Sequence, residues 1–278
     1  MNRRVVKRDL LNLGMGLGVV PSHQDFVKFI VLGRGRSGSN FLSTSLAAHQ
    51  NVVTFGEVFN NRAQAKGTIH FAYPGYRNAQ PKLVDQRDNR PVEFVDRTLF
   101  GQQPKSIYAV GFKLFYYHAQ TPQWRGVWPH LKNQGVRAVH IRRTNLLASL
   151  VSEQIAESTK VWQTNKDVSV GTQTQPSVRI APAVCAEYFT TVRRLHEEFS
   201  EFFDSTLDIV YEDLVEDYQG QLQRVQEFLS LPVQTLASPL KKQAKRPLPA
   251  MLENFDELAA HFQNTAWQRY FDDAARDS

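Results

Sequence analysis

The apolar positions of the chain fall into short runs that follow two different periods. Residues 26–32 (FVKFIVL), 51–55 (NVVTF), 107–114 (IYAVGFKL), 136–141 (VRAVHI) and 207–211 (LDIVY) are brief and rich in β-branched and aromatic side chains. Such near-continuous runs predict five strands buried on both faces. Between them the apolar residues recur at helical spacing, over 41–49, 145–158, 182–203 and 217–229. In residues 182–203, Tyr188, Val192, Leu195, Phe199 and Phe202 share one face, and Pro182 suits the first turn. An amphipathic helix closes the chain. Short strands alternating with helices predict an α/β fold of three layers, with a central, mainly parallel five-stranded sheet flanked by helices.

The intervening segments refine this outline. Residues 60–105 are polar, with Pro, Gly and Asn scattered through them, and are expected to form a substrate-facing insertion with little regular structure. Residues 164–181 read as a loop. Residues 10–21 are apolar and follow Arg3, Arg4, Lys7 and Arg8, which resembles a weak signal-peptide core. A cleavage site of small residues is lacking and a strand begins almost at once, so residues 1–25 are expected to be an N-terminal arm carrying a surface-lying helix. Residues 26–278 then form a single domain. No run approaches the roughly 18–20 apolar residues that span a bilayer.

Composition is that of an ordinary globular protein: 42% hydrophobic and 22% charged over 278 residues, which excludes disorder and coiled coil for the chain as a whole. One cysteine, Cys185, excludes an internal disulfide and any multi-cysteine metal site, and points to a cytoplasmic location. Charge is more informative. The net value is +6, but residues 1–150 hold 21 Lys and Arg against 7 Asp and Glu, while residues 151–278 hold 12 against 20. A first half at +14 suggests an anionic ligand.

Two motifs say where such a ligand sits. After the first strand comes GRGRSGSN, with Arg34, Gly35, Arg36, Ser37, Gly38, Ser39 and Asn40, and then a helix. Strand, Gly/Ser loop and helix together place backbone N–H groups and a helix N-terminus around an anion. Arg36 adds a fixed positive charge. The ATP-type pattern G-x-x-x-x-G-K-[ST] is absent, so neither its Lys nor its magnesium-binding Ser/Thr is present. The second motif, HIRRTNLLASLVS over 140–152, puts Arg142 and Arg143 at the C-terminal end of a strand, where open α/β sheets bind ligands. Asn145 is placed to cap the next helix, and Ser149 and Ser152 share a face of it. An arginine with a helical serine makes a compact site for a phosphate monoester.

Two anion sites at two strand ends resemble the sulfotransferases that use 3′-phosphoadenosine 5′-phosphosulfate (PAPS), above all the bacterial carbohydrate type such as the rhizobial Nod-factor sulfotransferases. The resemblance is carried by an ordered set: RSGSNFL (36–42), FGEVFN (55–60), VGFKL (110–114), IRRTNLLASLVS (141–152), CAEYF (185–189), IVYEDL (209–214), LKKQAKRPL (240–248) and NFDEL (254–258). It covers about residues 26–271 and implies a P-loop-like fold. It also implies that the 26–49 unit holds the 5′-phosphosulfate and the 136–152 unit the 3′-phosphate.

Three departures stand out. Many family members have Lys in place of Arg36. The span from Arg143 to Ser152 is one residue longer than the family's usual spacing, so Arg142 and Arg143 are both candidates, with Arg143 favoured. The Arg-Lys-Gly loop of the cytosolic animal enzymes is missing, and Lys241, Lys242 or Arg246 of LKKQAKRP is expected to touch the nucleotide instead.

The resemblance also implies the chemistry. Glu57, just after the second strand, stands where carbohydrate-type members place an acidic general base. His118, His70 and His49 are the histidine alternatives. Lys113, at the end of the third strand, is expected to steady the sulfuryl group beside Arg36. The implied co-substrate is PAPS, giving PAP, with no metal. The implied acceptor is a hydroxyl of a carbohydrate or glycolipid. The alternatives are a small phenolic, lipid or peptide acceptor, or a non-catalytic polyanion-binding protein. No nucleic-acid partner is expected; a homodimer and a peripheral membrane contact through the basic N-terminus complete the expected partners. Asp208, Glu212 and Asp213 are expected to be structural.

Overall fold

The computed structural model describes residues 10–11, 13–72, 78, 80–159, 176–237 and 246–276, the last four of these by their backbone alone. Five parallel strands form the central sheet: β1 (Val27–Gly33), β2 (Val52–Phe55), β3 (Ala109–Phe115), β4 (Arg137–Arg142) and β5 (Thr206–Val210). Their order is β2-β3-β1-β4-β5. β1 is therefore central, pairing with β3 from Val27↔Ala109 to Gly33↔Phe115 and with β4 from Phe29↔Arg137 to Gly33↔Ile141. All five expected strands are present, within two residues of their expected ends.

The two faces of the sheet bury separate apolar sets, which is why the strands read as continuous hydrophobic runs. Phe29, Val31, Val139, Ile141 and Ile209 point to one face. There they meet Leu42 and Leu46 of α1 (Ser39–Leu46). Ile30, Leu32, Val53, Phe55, Phe112 and Leu114 point to the other and pack with Trp124, Trp128, Phe199 and Phe203. α2 (Leu146–Thr159) and α3 (Pro182–Ser200) form a third cluster with the C-terminal helices. Pro182 occupies the first turn of α3, as expected. α4 (Tyr218–Phe228) starts at Asp217, whose carboxylate accepts from the Gly220 N–H at 3.0 Å.

The insertion differs from expectation. It forms helices at Asn61–Ala65, Pro81–Asn89 and Pro91–Phe94 and a π-helical turn at Val95–Leu99. Ile69, Phe71, Phe94, Val95, Leu99 and Phe100 from this segment are buried in the main core. Arg87 explains how so polar a stretch packs. Its side chain is wholly buried, donates to the Thr68 carbonyl at 2.6 Å, pairs with Asp88 at 2.8 Å and lies 5.1 Å from the Trp124 ring. A buried cation held by a carboxylate, a carbonyl and an aromatic ring ties several loops to one point.

The arm joins the domain through a two-residue antiparallel pairing of Ser22–His23 with Gln103–Pro104. Ahead of that pairing, Met15 is buried, while Leu10, Leu13, Leu17 and Val19 are 58–76% exposed. Leu10, Leu13 and Leu17 are spaced to share a helix face. Among the described residues, no helix is long and apolar enough to cross a membrane.

Candidate active site

The C-terminal ends of β1, β2, β3 and β4 bring the expected residues to one edge of the sheet. The loop after β1 is shaped by two left-handed residues, Arg36 at φ 65° and Gly38 at φ 89°. At Gly38 a Cβ would run into the Tyr211 ring, so glycine is required both by torsion and by space. Gly38 caps α1 with no side-chain bond to the first helical N–H groups. These donors and the positive end of the helix dipole therefore face the loop, a standard anion cradle.

The loop's side chains divide their work. The buried Ser37 hydroxyl donates to the Arg34 carbonyl at 2.7 Å and closes the turn. One terminal nitrogen of Arg34 donates to both carboxylate oxygens of Glu153 of α2, at 2.8 and 3.1 Å, and the guanidinium lies 4.6 Å from the Tyr188 ring. Arg36 turns the other way and donates from Nε to Ser152 Oγ at 2.9 Å. Burial lowers the Arg36 guanidinium, and the like charge of Arg143 lowers it further. Two cations close enough to repel each other, one of them bonded to a serine, mark a place that an anion would stabilise.

The neighbouring arginines at the end of β4 part company, as adjacent strand residues do. Arg143 stays on the Arg36 side, 3.6 Å from Glu212 and 5.1 Å from the Tyr211 ring. Arg142 lies 3.2 Å from Asp208. Asp208 in turn lies 2.9 Å from His140, whose other nitrogen is 2.6 Å from the Tyr116 hydroxyl. Asn145 caps α2 as expected, accepting from Ala148 N–H at 2.9 Å. Glu212 accepts from the Thr144 N–H at 3.0 Å, so it steadies Arg143 and the start of α2 rather than the helix it belongs to. Ser149 is buried, its hydroxyl accepting from Tyr188 at 3.1 Å.

On the other side of the loop, Lys113 and Glu57 meet at 3.3 Å. Lys113 is only 3% exposed and also donates to Asn40 in the first turn of α1. Asn60 donates to the second Glu57 oxygen at 2.8 Å. Burial works to raise the Glu57 carboxyl, but Lys113, His118, the Asn60 amide and His70 outweigh it, so it sits below its ordinary value. Burial lowers Lys113, with Glu57 opposing.

The histidine alternatives are placed differently from one another. Burial drives His118 down to about 4. Its Nδ1 accepts from the Phe115 N–H at 3.2 Å, which assigns the proton of the neutral ring to Nε2 and makes it a donor. His70 is lowered by burial and lies within the field of Glu57. His49 is fixed between the Pro232 carbonyl and the Asn51 N–H, at 3.0 and 3.1 Å. Arg246 donates to the Pro176 carbonyl at 3.1 Å, whereas Lys241 and Lys242 lie outside the described residues. Among the described residues no cluster of His, Cys, Asp and Glu is set to hold a metal.

Comparison with known proteins bears on this arrangement. Nodulation protein H of Rhizobium meliloti is 28% identical over 260 residues, covering 88% of this chain and 94% of that one. The chain is thus similar to nodulation protein H along most of its length. Nodulation protein H of Rhizobium tropici is 26% identical over 266 residues, with 89% and 94% coverage. The family likeness read from the ordered motifs is thereby borne out. No family model matches the chain. Two solved structures are similar in outline. A sulfotransferase from Alicyclobacillus acidocaldarius has a TM-score of 0.48 at 11% identity, covering 85% of this chain and 91% of that one. Mouse sulfotransferase SULT7A1 complexed with PAP has a TM-score of 0.44 at 13% identity, covering 94% and 93%. The fold of this chain rests on its own sheet order.

Glu153, which holds Arg34, is a site residue that sequence reasoning missed. Glu153 carried a weak signal, being the acidic residue directly after Ser152 on the helix that follows the paired arginines.

Proposed function

We propose that the chain is a PAPS-dependent sulfotransferase that sulfates a hydroxyl of a carbohydrate or glycolipid. The observation that supports this best is the gathering of Arg36, Arg143, Ser152 and the uncapped start of α1 beside the Glu57–Lys113 pair. In this reading, backbone N–H groups of 35–39 hold the phosphosulfate, and Arg143 and Ser152 hold the 3′-phosphate. The acceptor oxygen attacks sulfur in line, its proton passes to Glu57, and the S–O bond to the nucleotide phosphate breaks. Lys113 and Arg36 face the charge on the sulfuryl and leaving oxygens. Positioning and fixed charges supply most of the effect, as in phosphoryl transfer. No metal is needed, because a sulfuryl group carries less charge than a phosphoryl group.

Calorimetry with PAP and AMP in metal-free buffer tests the nucleotide assignment. PAP is expected to bind at least about ten-fold more tightly than AMP, or roughly 1.4 kcal/mol. Arg143→Ala and Ser152→Ala should each weaken PAP and leave AMP nearly unchanged. If Arg142→Ala shows that pattern instead, the 3′-phosphate site belongs to the other arginine; equal affinity for PAP and AMP removes the site. A thermal-shift series with PAP, ATP–magnesium and heparin separates this reading from a kinase and from a polyanion-binding protein.

The arm belongs to the same proposal as a peripheral membrane contact. Arg3, Arg4, Lys7 and Arg8 precede the exposed Leu10, Leu13 and Leu17, which suits an anionic lipid surface. The full chain is expected to co-sediment with vesicles containing phosphatidylserine but not with phosphatidylcholine vesicles. Deletion of residues 1–20 should abolish the difference; equal recovery with both vesicles rules the contact out.

A further inference from the structure

One aromatic side chain at this edge of the sheet has no part in the chemistry above. β3 runs out through Phe115, and the three residues that follow go separate ways. Tyr116 is buried with its hydroxyl against His140. His118 is buried, its ring stacked on Phe115 at 4.9 Å. Tyr117 between them is 44% exposed.

Exposure of a tyrosine is ordinary; being exposed and fixed is less so. The Tyr117 ring stands edge-on to His118 at 5.0 Å and against Phe115 at 5.7 Å. The Arg34 guanidinium lies 5.9 Å from the ring centroid. Its hydroxyl lies against Gly35 in the anion loop, where an added Cβ would come within 3.1 Å of it. Burial of that hydroxyl raises it, and the negative charge of Glu57 raises it further, so the general base lies within its field. The ring thus touches the anion loop at its tip, stands four residues beyond Lys113 and keeps much of its surface open. Below it, His118 Nε2 is buried with no partner and carries the ring proton.

We propose that Tyr117 is the platform on which a sugar ring of the acceptor stacks, turning one hydroxyl toward Glu57. A pyranose has a C–H face that is apolar and weakly positive, and an aromatic face suits it in both respects. A side chain already locked on three sides loses little entropy when a ligand covers it. This inference rests on the acceptor class proposed above.

Steady-state kinetics with PAPS and a panel of short malto-, cello- and chito-oligosaccharides, with 4-nitrophenol alongside, tests it. For an oligosaccharide that the wild type sulfates, Tyr117→Ala is expected to raise KM by about ten-fold. Tyr117→Phe and Tyr117→Trp, which keep the face, should stay near the wild-type KM. Any change in PAP affinity shared by Tyr117→Ala and Tyr117→Phe belongs to the lost Gly35 contact, so the difference between these two variants reads the ring alone. Should Tyr117→Ala fail to fold, Tyr117→Leu fills the space without a π face and carries the same expectation. An acceptor KM unchanged in the folded variant overturns the platform and leaves the sulfotransferase reading intact. A wild type that sulfates 4-nitrophenol and no oligosaccharide overturns the acceptor class and the platform together.

Discussion

Glu57→Gln is expected to cut sulfation of an oligosaccharide acceptor by about 10²–10⁴-fold, the usual contribution of a positioned base, while PAP affinity stays within about two-fold. A sugar hydroxyl is ionised far above neutral pH, so its attack on sulfur needs a group that takes the proton as the bond forms. Glu57 is a carboxylate at the edge of the sheet where the anion loop lies, with Lys113 3.3 Å away and Asn60 on its other oxygen. Gln keeps the shape and the donor from Asn60 but accepts no proton. It also leaves the buried Lys113 without its counter-charge, so PAP binding measured in parallel shows that the loop is intact. Wild-type turnover in Glu57→Gln would remove it as the base. His118 is then the next residue to test, although its proton on Nε2 and its value near 4 equip it to donate rather than accept.

The acid limb of the rate profile gives a second reading of the same carboxylate. As the proposed base Glu57 would work when ionised, and its partners hold it below its ordinary value despite burial. Turnover is therefore expected to persist as pH falls through the neutral and mildly acid range, failing only below the usual carboxylate range. Lys113→Met removes the largest of the lowering charges and leaves burial to dominate. The limb should move to higher pH in that variant, whatever the height of its plateau. A limb that does not move would show that Lys113 does not govern the base.

Much of this arrangement was readable before any coordinates, for a specific reason. Strands buried on both faces must be apolar along their whole length, so residues 26–32 and 107–114 announced themselves. The anion loop and the paired arginines were legible because they stand directly at strand ends, where local sequence decides what reaches the edge. The insertion was opaque because its apolar residues, such as Phe94, Val95, Leu99 and Phe100, are interleaved with charged and polar ones. They enter the core beside Arg87, of a residue type that is seldom buried, which lies against Trp124 and the Thr68 carbonyl. Contacts across long stretches of chain escaped for the same reason. Glu153 holds Arg34 across 119 residues, and the Tyr117 hydroxyl comes against Gly35 only after the sheet has formed.

Arg36→Ala is expected to lower turnover by about 10²–10³-fold, as loss of one transition-state contact does, with a smaller effect on PAP affinity. Arg36 takes the left-handed conformation in the middle of the loop, and the turn directs its guanidinium to Ser152 rather than to the Glu153 that holds Arg34. Arg143 presses on it with a like charge. In the proposed complex the 3′-phosphate relieves that repulsion through Arg143 and Ser152. Arg36 is then left to face the leaving oxygen, where charge grows only as the S–O bond breaks. Such a contact acts on the transition state more than on the bound nucleotide, so kcat should fall much more than Kd for PAP rises. Alanine at a left-handed position also costs the loop little beyond what arginine already bears there, since both have a Cβ. Arg36→Lys keeps the charge on a flexible stem but loses the fixed fork, and is expected to recover part of the rate. If Arg36→Ala instead weakens PAP by as much as it slows turnover, Arg36 belongs to the ground-state phosphate site with Arg143, and the charge at the leaving oxygen must be met by Lys113 and the loop N–H groups.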